Sequence, residues 1–570
     1  MGDQPLSAVE GIKARSRHLR GTIADGLRDR TTGALAEDDT QLIKFHGMYQ
    51  QDDRDLRAER RDQRLEPAWQ FMVRARLPGG LCTAAQWLAF DDIARRYANG
   101  TLRLTTRQAF QLHGVVKQVL KPTIAAINQA VLDTLAACGD VNRNVMVTTL
   151  PASRSAHAAA ARLAVALSER FLPNAGAYHE IWLDGTPLAV GETVAEPIYG
   201  DRYLPRKFKI AVAVPPDNDV DVYTQDLGFI AVIENGALLG YNVVAGGGMG
   251  TTHGDFATWP RTADVLGFCE PGDALALAEA VVTTQRDFGD RTNRRHARLK
   301  YTIEDLGLPR FLQEVESRAG VALQPPREVR FNDTGDRAPG WHVDDQGLWH
   351  YLLHVPAGRV TDRDGWRALT GLRAIAATGN AGFRLTPNQN VLLSDVPPAC
   401  KAGIEGLLRE HGLVTAVSPV RRLALACVGL PTCGLAMAES ERYAPDFLAR
   451  LEDLLALHGL ADAGIHVRIT GCPNGCARPF VAEIALVGKA PGRYSVYLGG
   501  AHDGTRLNTP WRDNITESEI LAALAPLLAR YAEERLEDER FGDFLHREAL
   551  VVPVRSGREF AAAAKALAEG

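Results

Sequence analysis

The sequence predicts an α+β protein, with helices on mixed sheets around an internally duplicated core. Three observations carry that reading. The first is a repeat. LPGGLCTAAQW (Leu77 to Trp87) leads into GTLRLTTRQAFQLHGV (Gly100 to Val115), and far downstream VPAGRVTDRDGW (Val355 to Trp366) leads into GFRLTPNQNVLLSDV (Gly382 to Val396). The second is a mixture of periods, with strand-length apolar runs beside stretches of helical apolar spacing. The third is a pair of short cysteine motifs in the last third of the chain.

Each copy of the repeat reads as a turn, a helix and then a strand of the form RLT-x-x-Q, so that Arg103-Leu104-Thr105 matches Arg384-Leu385-Thr386. Two copies are too few for a solenoid. They suggest half-domains about a pseudo-two-fold axis with a ligand at the junction. Between them, the segment around residues 180–185 and KFKIAVAVP (Lys207 to Pro215) read as strands, and Asp273 to Phe288 has helical spacing. After them, Leu413 to Gly570 carries the cysteines and then helical sequence from Glu517 to Glu537. Near the N-terminus, residues 51–66 (QDDRDLRAERRDQRLE) form a mixed-charge run that reads as a solvated arm or helix.

Composition bounds the function. A chain of 570 residues splits into three or four domains on a prior of roughly 150 residues each. Hydrophobic residues at 46% and charged residues at 23% are ordinary for globular domains. A net charge of −5 argues against a generic nucleic-acid binder. The N-terminus shows no apolar signal region, and no apolar run approaches a membrane span, so neither secretion nor a membrane is expected. Eight cysteines are too few for a disulfide scaffold. Cys82, Cys138, Cys269 and Cys400 sit among apolar neighbours and read as buried free thiols, which suits a reducing cytoplasm.

The other four stand in ACVGLPTCGLA (Cys427, Cys433) and TGCPNGCARP (Cys472, Cys476). Four thiolates brought together can hold an iron–sulfur cluster or a structural metal; scattered core cysteines are the alternative. The spacing is neither that of the common ferredoxins nor that of a zinc finger. Basic groups form the second set: Arg74 and Arg76 in MVRARLPGG, Arg103 and Arg107 in LRLTTRQ, Arg143 in VNRNV, and Arg206, Lys207 and Lys209 in LPRKFK. So many cations in strand-like settings imply either an anionic ligand or a set of structural ion pairs. His113 fits a pocket position, although a lone strand histidine is more often a core residue. His46, His253, His354 and His466 show no metal spacing. The glycine-rich loop Ala245 to Gly254 lacks both the dinucleotide fingerprint and the P-loop lysine, and reads as a flexible loop near a cofactor or interface.

The segments CVGLPTCGLAMAESER and TGCPNGCARP resemble the cluster-binding pairs of the siroheme-containing sulfite and nitrite reductases. The likeness runs from LRGTI (Leu19 to Ile23) and FHGMYQQDDRD (Phe45 to Asp55) to FGDF (Phe541 to Phe544). The resemblance implies a three-domain siroheme reductase: an N-terminal extension at 1–73, ferredoxin-like half-domains at 74–138 and 340–412, a siroheme- and substrate-binding domain at 139–339, and an iron–sulfur and siroheme-binding domain at 413–570. It implies siroheme and a 4Fe-4S cluster as cofactors. Cys427, Cys433, Cys472 and Cys476 would hold the cluster, and Cys476 would be shared with the siroheme iron. Arg103, Arg107 and Arg206 would bind the macrocycle's carboxylates, with Thr105, Gln111, His113 and Asn474 adding hydrogen bonds. Arg74, Arg143, Lys207 and Lys209 would surround the oxyanion. The implied reaction is the six-electron reduction of sulfite to sulfide, as in sulfate assimilation and cysteine biosynthesis. Reduction of nitrite to ammonia is the alternative, and a cluster or zinc protein without catalysis is a third reading. Within the family a second lysine at Lys209 favours sulfite. With no nucleotide site in the chain, NADPH and flavin fall to a partner: an NADPH-dependent flavoprotein (alpha) subunit is the expected electron donor, ahead of ferredoxin. The N-terminal extension is expected to help dock it.

Overall fold

The computed structural model describes residues 5–151, 153–174, 182–183, 186–187 and 196–569. The repeat copies fold as two interlocked half-domains. In the first, Met48–Asp52, Trp69–Ala75, Phe110–Val115 and Leu102–Leu104 form an antiparallel sheet, and its fifth strand, Arg359–Val360, comes from the second copy. The second sheet runs Gly340–Val343, Trp349–Leu353, Val391–Val396 and Gly382–Leu385, and it borrows Leu81–Cys82 from the first copy. Each copy therefore lends its partner an edge strand. The helices Ala84–Tyr97 and Ala368–Thr378 pack together over this junction. Thr83 and Gln86 close the first of them with a reciprocal capping box. Trp87 is fully buried and stacks on Phe383 of the other copy at 4.6 Å between ring centroids.

The Gln that ends each RLT-x-x-Q motif explains the motif. Gln108 and Gln389 both take left-handed backbone, with φ of 48° and 68°. Gln108 Nε2 donates to Val147 O at 3.0 Å and Leu385 O at 2.9 Å, and Gln389 Nε2 donates to Ala426 O at 2.9 Å. Each buried amide thus ties its half-domain to the first strand of a following α/β unit.

Those two units share one topology, a second duplication that the sequence alone does not reveal. Met146–Val147, Ile210–Ala213, Leu227–Glu234, Ala237–Ala245 and Asp264–Cys269 lie in that spatial order, the first three parallel and the rest antiparallel. Leu425–Ala426, Val467–Thr470, Ile484–Ala490, Arg493–Leu498 and Thr509–Ile515 repeat the pattern. A helix follows the first strand of each (Arg154–Arg170, Ala444–Leu457) and another follows the last (Ala274–Phe288, Glu517–Glu534). Their apolar faces build two separate cores.

Several expectations are refined. The strand expected near 180–185 appears only as Trp182–Leu183 paired with Thr186–Pro187; its other residues lie outside the described ones. The first half-domain's sheet begins at Met48, upstream of the expected boundary at 74, and Trp69–Ala75 runs across that boundary. Within 51–66 a short helix, Arg57–Asp62, exposes all but one of its residues, as a mixed-charge run requires. All four scattered cysteines are free, but Cys400 is half-buried where Cys82, Cys138 and Cys269 are buried. No helix of the described residues is long and apolar enough to cross a membrane.

Candidate functional site

The two cysteine turns converge because of strand direction. Leu425–Ala426 and Val467–Thr470 are adjacent and parallel, with Leu425 opposite Arg468 and Ala426 opposite Ile469. Cys427 and Gly471-Cys472 therefore leave the sheet at the same carboxyl end, where α/β sheets place their ligands. Gly471 N–H donates to Cys427 Sγ at 3.2 Å, and Gly471 O accepts from Met437 N at 2.7 Å. A Cβ on Gly471 would stand 2.5 Å from Ala438 O, so the close approach of the two turns demands glycine there. Gly475 bends the second turn at φ 65°. Asn474 Nδ2 lies 3.6 Å from Cys472 Sγ.

Burial pushes the Cys427 thiol up to about 12, with Cys476 and Cys433 adding to the effect, and it raises Cys433 and Cys472 as well. A metal must displace those protons on binding. Among the described residues no three His, Cys, Asp or Glu side chains are close enough to share one metal ion. The four thiols feel one another's charge yet stand apart. That spread fits a cluster, in which each thiolate meets its own iron, and does not fit a single zinc.

A belt of cations surrounds the Cys476 side. Arg74 sits opposite Gln111 in the first half-domain sheet. With its oxygen turned toward the guanidinium, Gln111 accepts from Arg74 Nε at 3.1 Å, and Arg74 Nη1 donates to Cys138 Sγ at 3.3 Å. A bridge between Asn142 and Phe208 lays Arg143 beside the Lys207–Lys209 segment, and Arg143 Nε donates to Gly139 O at 2.8 Å. Arg107 donates to Gln225 Oε1 and Ile210 O, both at 2.8 Å, while its buried Nε has no partner. Burial lowers Arg107 to about 9, Arg206 to about 10 and Lys207 to about 7, with neighbouring cations adding to the shift. Lys209 is driven down by burial and then by Lys207 and Arg107. Neither lysine has a hydrogen-bond or carboxylate partner among the described residues. Half-buried ammonium groups without partners are costly unless an anion joins them.

Other expected residues are differently placed. Arg103 is buried, paired with Glu441, and donates to Ala426 O at 3.0 Å; Arg359 holds the same Glu441 at 2.7 Å. Its fork is therefore engaged beneath Cys427. Thr105 caps its own turn, accepting from Arg107 N at 3.3 Å and Ala109 N at 3.2 Å. The next residue, Thr106, reaches the cysteine turn, donating to Cys476 O at 2.8 Å. His113 is buried beside Gln111, and burial with Arg359, Arg103 and Arg74 nearby keeps it neutral. Arg76, singled out with Arg74, instead binds Ser168 O at 3.0 Å and carries no pocket role.

Sequence reading missed three supports. Arg298 grips Asp226 through bonds of 2.8 to 3.0 Å. Lys300 sits fully buried among the carbonyls of Gly248, Gly250 and Trp259. It thereby fixes the glycine-rich loop whose Thr251 N donates to Pro473 O at 2.9 Å. Asp140 takes both arms of Arg294, at 2.7 and 2.9 Å, and lies 3.9 Å from Arg206.

Comparison with known proteins gives the same reading. Residues 66–130 and 342–411 match the nitrite/sulfite reductase ferredoxin-like half domain, and 166–323 match the nitrite and sulphite reductase 4Fe-4S domain. That last span is the first α/β unit, upstream of all four paired cysteines. A Myxococcus xanthus protein named sulfite reductase (NADPH) hemoprotein beta-component is 59% identical over 95% of this chain and 97% of its own. A Methylobacterium protein of the same name is 57% identical over 97% and 92%. The solved structure of the Mycobacterium tuberculosis NirA protein aligns at a TM-score of 0.77 and 25% identity, covering 95% of this chain and 96% of that one. With its half-domains matched by the family model and nearly its whole length matched by a relative 59% identical, this chain belongs to the nitrite and sulphite reductase family.

Proposed function

We propose that this chain reduces sulfite to sulfide, using siroheme coupled to a 4Fe-4S cluster through a shared Cys476 thiolate. The observation that carries the proposal is the pair of partnerless ammonium groups, Lys207 and Lys209, beside Arg143, with Lys207 within electrostatic range of Cys476. The cysteine crevice fits a cluster, and the orphaned Arg107 Nε supports an acidic ligand on that side. When bound, the two cofactors would supply the electrons of the reduction one at a time.

The chain's own residues do the rest. Arg74, Arg143, Lys207 and Lys209 bind the oxyanion's oxygens and offset its charge. The ammonium groups are proton donors for the oxygens that leave as water; Lys207, near neutrality, is suited to give and regain a proton. Arg107 and Arg206 would hold the macrocycle's carboxylates, with Gln111, His113 and Asn474 as hydrogen-bonding neighbours. Arg103 acts through Glu441 and Ala426, holding the Cys427 strand in place, and Thr105 holds the turn that carries Arg107 and Thr106. Cys427, Cys433, Cys472 and Cys476 are the cluster ligands.

The division into an extension, paired half-domains at 74–138 and 340–412, and two cofactor-binding units at 139–339 and 413–570 belongs to the same proposal. Relatives are named as the beta component of an NADPH enzyme, which supports an NADPH-oxidising flavoprotein subunit as donor, in the cytoplasm. Nitrite reduction is the second reading; Lys209 favours sulfite by adding positive charge for a more highly charged anion. Anaerobic turnover with reduced methyl viologen tests the assignment. Sulfide as product, with six viologens oxidised per sulfite, supports it. Consumption of nitrite with no sulfide from sulfite overturns it.

A further inference from the structure

Upstream of the mixed-charge run, a short N-terminal helix buries one face against the stretch that leads into Arg206, Lys207 and Lys209. In the helix Ala8–Ala14, Glu10 and Lys13 are each 1% exposed. Lys13 Nζ donates to Leu204 O at 2.8 Å, pairs with Glu10, and lies 3.7 Å from Asp140 Oδ2. The second Glu10 oxygen takes Arg291 Nη1 at 2.6 Å, and Ser7 N donates to Arg291 O at 2.9 Å.

These contacts converge on one stretch of backbone. Arg291 Nη2 donates to Tyr203 O at 2.8 Å, Lys13 to Leu204 O, and Arg294 Nη1 to Pro205 O at 3.3 Å. Three successive carbonyls are each held by a different cation. Leu204 N donates to Asp140 O at 3.0 Å, so the stretch is held from both sides. Tyr203 is left-handed at φ 54°, a strained conformation for a residue with a side chain, and this network keeps it there. The residues that follow are Arg206, Lys207 and Lys209. Four cations of the cluster (Lys13, Arg206, Arg291, Arg294) face two carboxylates (Glu10, Asp140), so the cluster carries a surplus of positive charge toward the pocket.

We propose that the helix Ala8–Ala14 is an internal clamp: Lys13, countered by Glu10, fixes the Tyr203–Pro205 backbone so that Arg206, Lys207 and Lys209 are presented to the bound anion. Lys13 is a positioning residue, and the inference rests on the functional reading above. A docking arm for a donor protein would act from outside; the clamp acts within the chain.

The test compares the holoprotein with its Lys13→Met and Lys13→Arg variants by spectral titration with sulfite, and by turnover with reduced methyl viologen. Lys13→Met is expected to weaken sulfite binding and raise KM about tenfold, the scale of one lost charged hydrogen bond, with kcat changed far less. Lys13→Arg, which can still reach Leu204 O, recovers most of the affinity. Lys13→Gln, which keeps a donor without the charge, is read in the same way should Lys13→Met not accumulate as holoprotein. Wild-type sulfite affinity and KM in Lys13→Met overturn the clamp alone. A wild-type spectrum without siroheme bands overturns the functional reading and the clamp with it.

Discussion

The two α/β units share the order and direction of all five strands, yet only the second has the thiols of a cluster site. Their registers align Thr148 with Cys427, Pro215 with Cys472 and Asp219 with Cys476. The alignment is visible in the bonds: Thr148 N donates to Val212 O as Cys427 N donates to Ile469 O, both at 3.1 Å. Val214 N donates to Thr148 Oγ1 at 2.9 Å where Gly471 N donates to Cys427 Sγ at 3.2 Å. Asp221 and Arg478, which follow the two turns, are both left-handed, and they pair with each other at the centre of the molecule. The topology makes a crevice at the carboxyl end of each sheet. Side chains decide its use. In the first unit a cavity of only about 10 Å³ remains, bordered by Thr149, Asp217, Asp219 and Asp336.

The largest way to break this contrast is to remove the shared thiol. Cys476→Ser should lower sulfite turnover by about a thousandfold or more and disturb both cofactor spectra. Retained turnover would end the account of Cys476. Next is the anion belt. Lys209→Asn should lower kcat/KM for sulfite about ten- to a hundredfold, and for nitrite by clearly less, because one charge-assisted contact is lost. Equal losses would remove Lys209 as the discriminating residue.

The lysine pair also predicts a pH profile. Lys207 loses its proton as pH rises through about 7, so its charge is present below that point and gone above it. Nitrite affinity, measured spectrally because nitrite keeps its charge across this range, should fall as pH rises from 6 to 8 by about tenfold at most. Lys207→Met should flatten the curve; an unchanged slope would place the titration elsewhere.

Smaller effects belong to the first unit. Burial, then Asp336 and Asp217, raises the Asp219 carboxyl to about 7. Between the ordinary carboxylate range and that value the folded protein holds a proton that the unfolded chain has released. Stability from this group therefore falls as pH rises through the window, and the penalty is complete above it. Asp219→Asn should raise the melting midpoint at pH 8, by about 1–3 kcal/mol in stability, and leave it nearly unchanged at pH 4. The smallest effect tests the comparison itself. Thr148→Cys restores one thiol of four, and iron per chain should not change.

Much of this was legible in sequence. The RLT-x-x-Q repeat marked the half-domains, since both copies need the same turn and the same reaching glutamine. The cysteine pairs marked the cluster crevice. The second duplication was hidden, because Thr148, Pro215 and Asp219 share register positions with three cysteines and no chemistry. The fork of Arg103 was hidden for a different reason: its partner Glu441 is 338 residues away. Lys13 drew no reading from the sequence, because only the fold brings the Leu204 carbonyl and the Glu10 and Asp140 carboxylates to it. The exposed helix Arg57–Asp62 kept to the simple rule because nothing packs on it.

The absorption spectrum of the purified holoprotein, recorded before and after adding sulfite to the reduced form, tests the central claim most directly. The account predicts isobacteriochlorin bands above a broad iron–sulfur background, shifting as sulfite binds. Iron–sulfur absorbance that lacks those bands in fully loaded protein, or bands indifferent to sulfite, would contradict it.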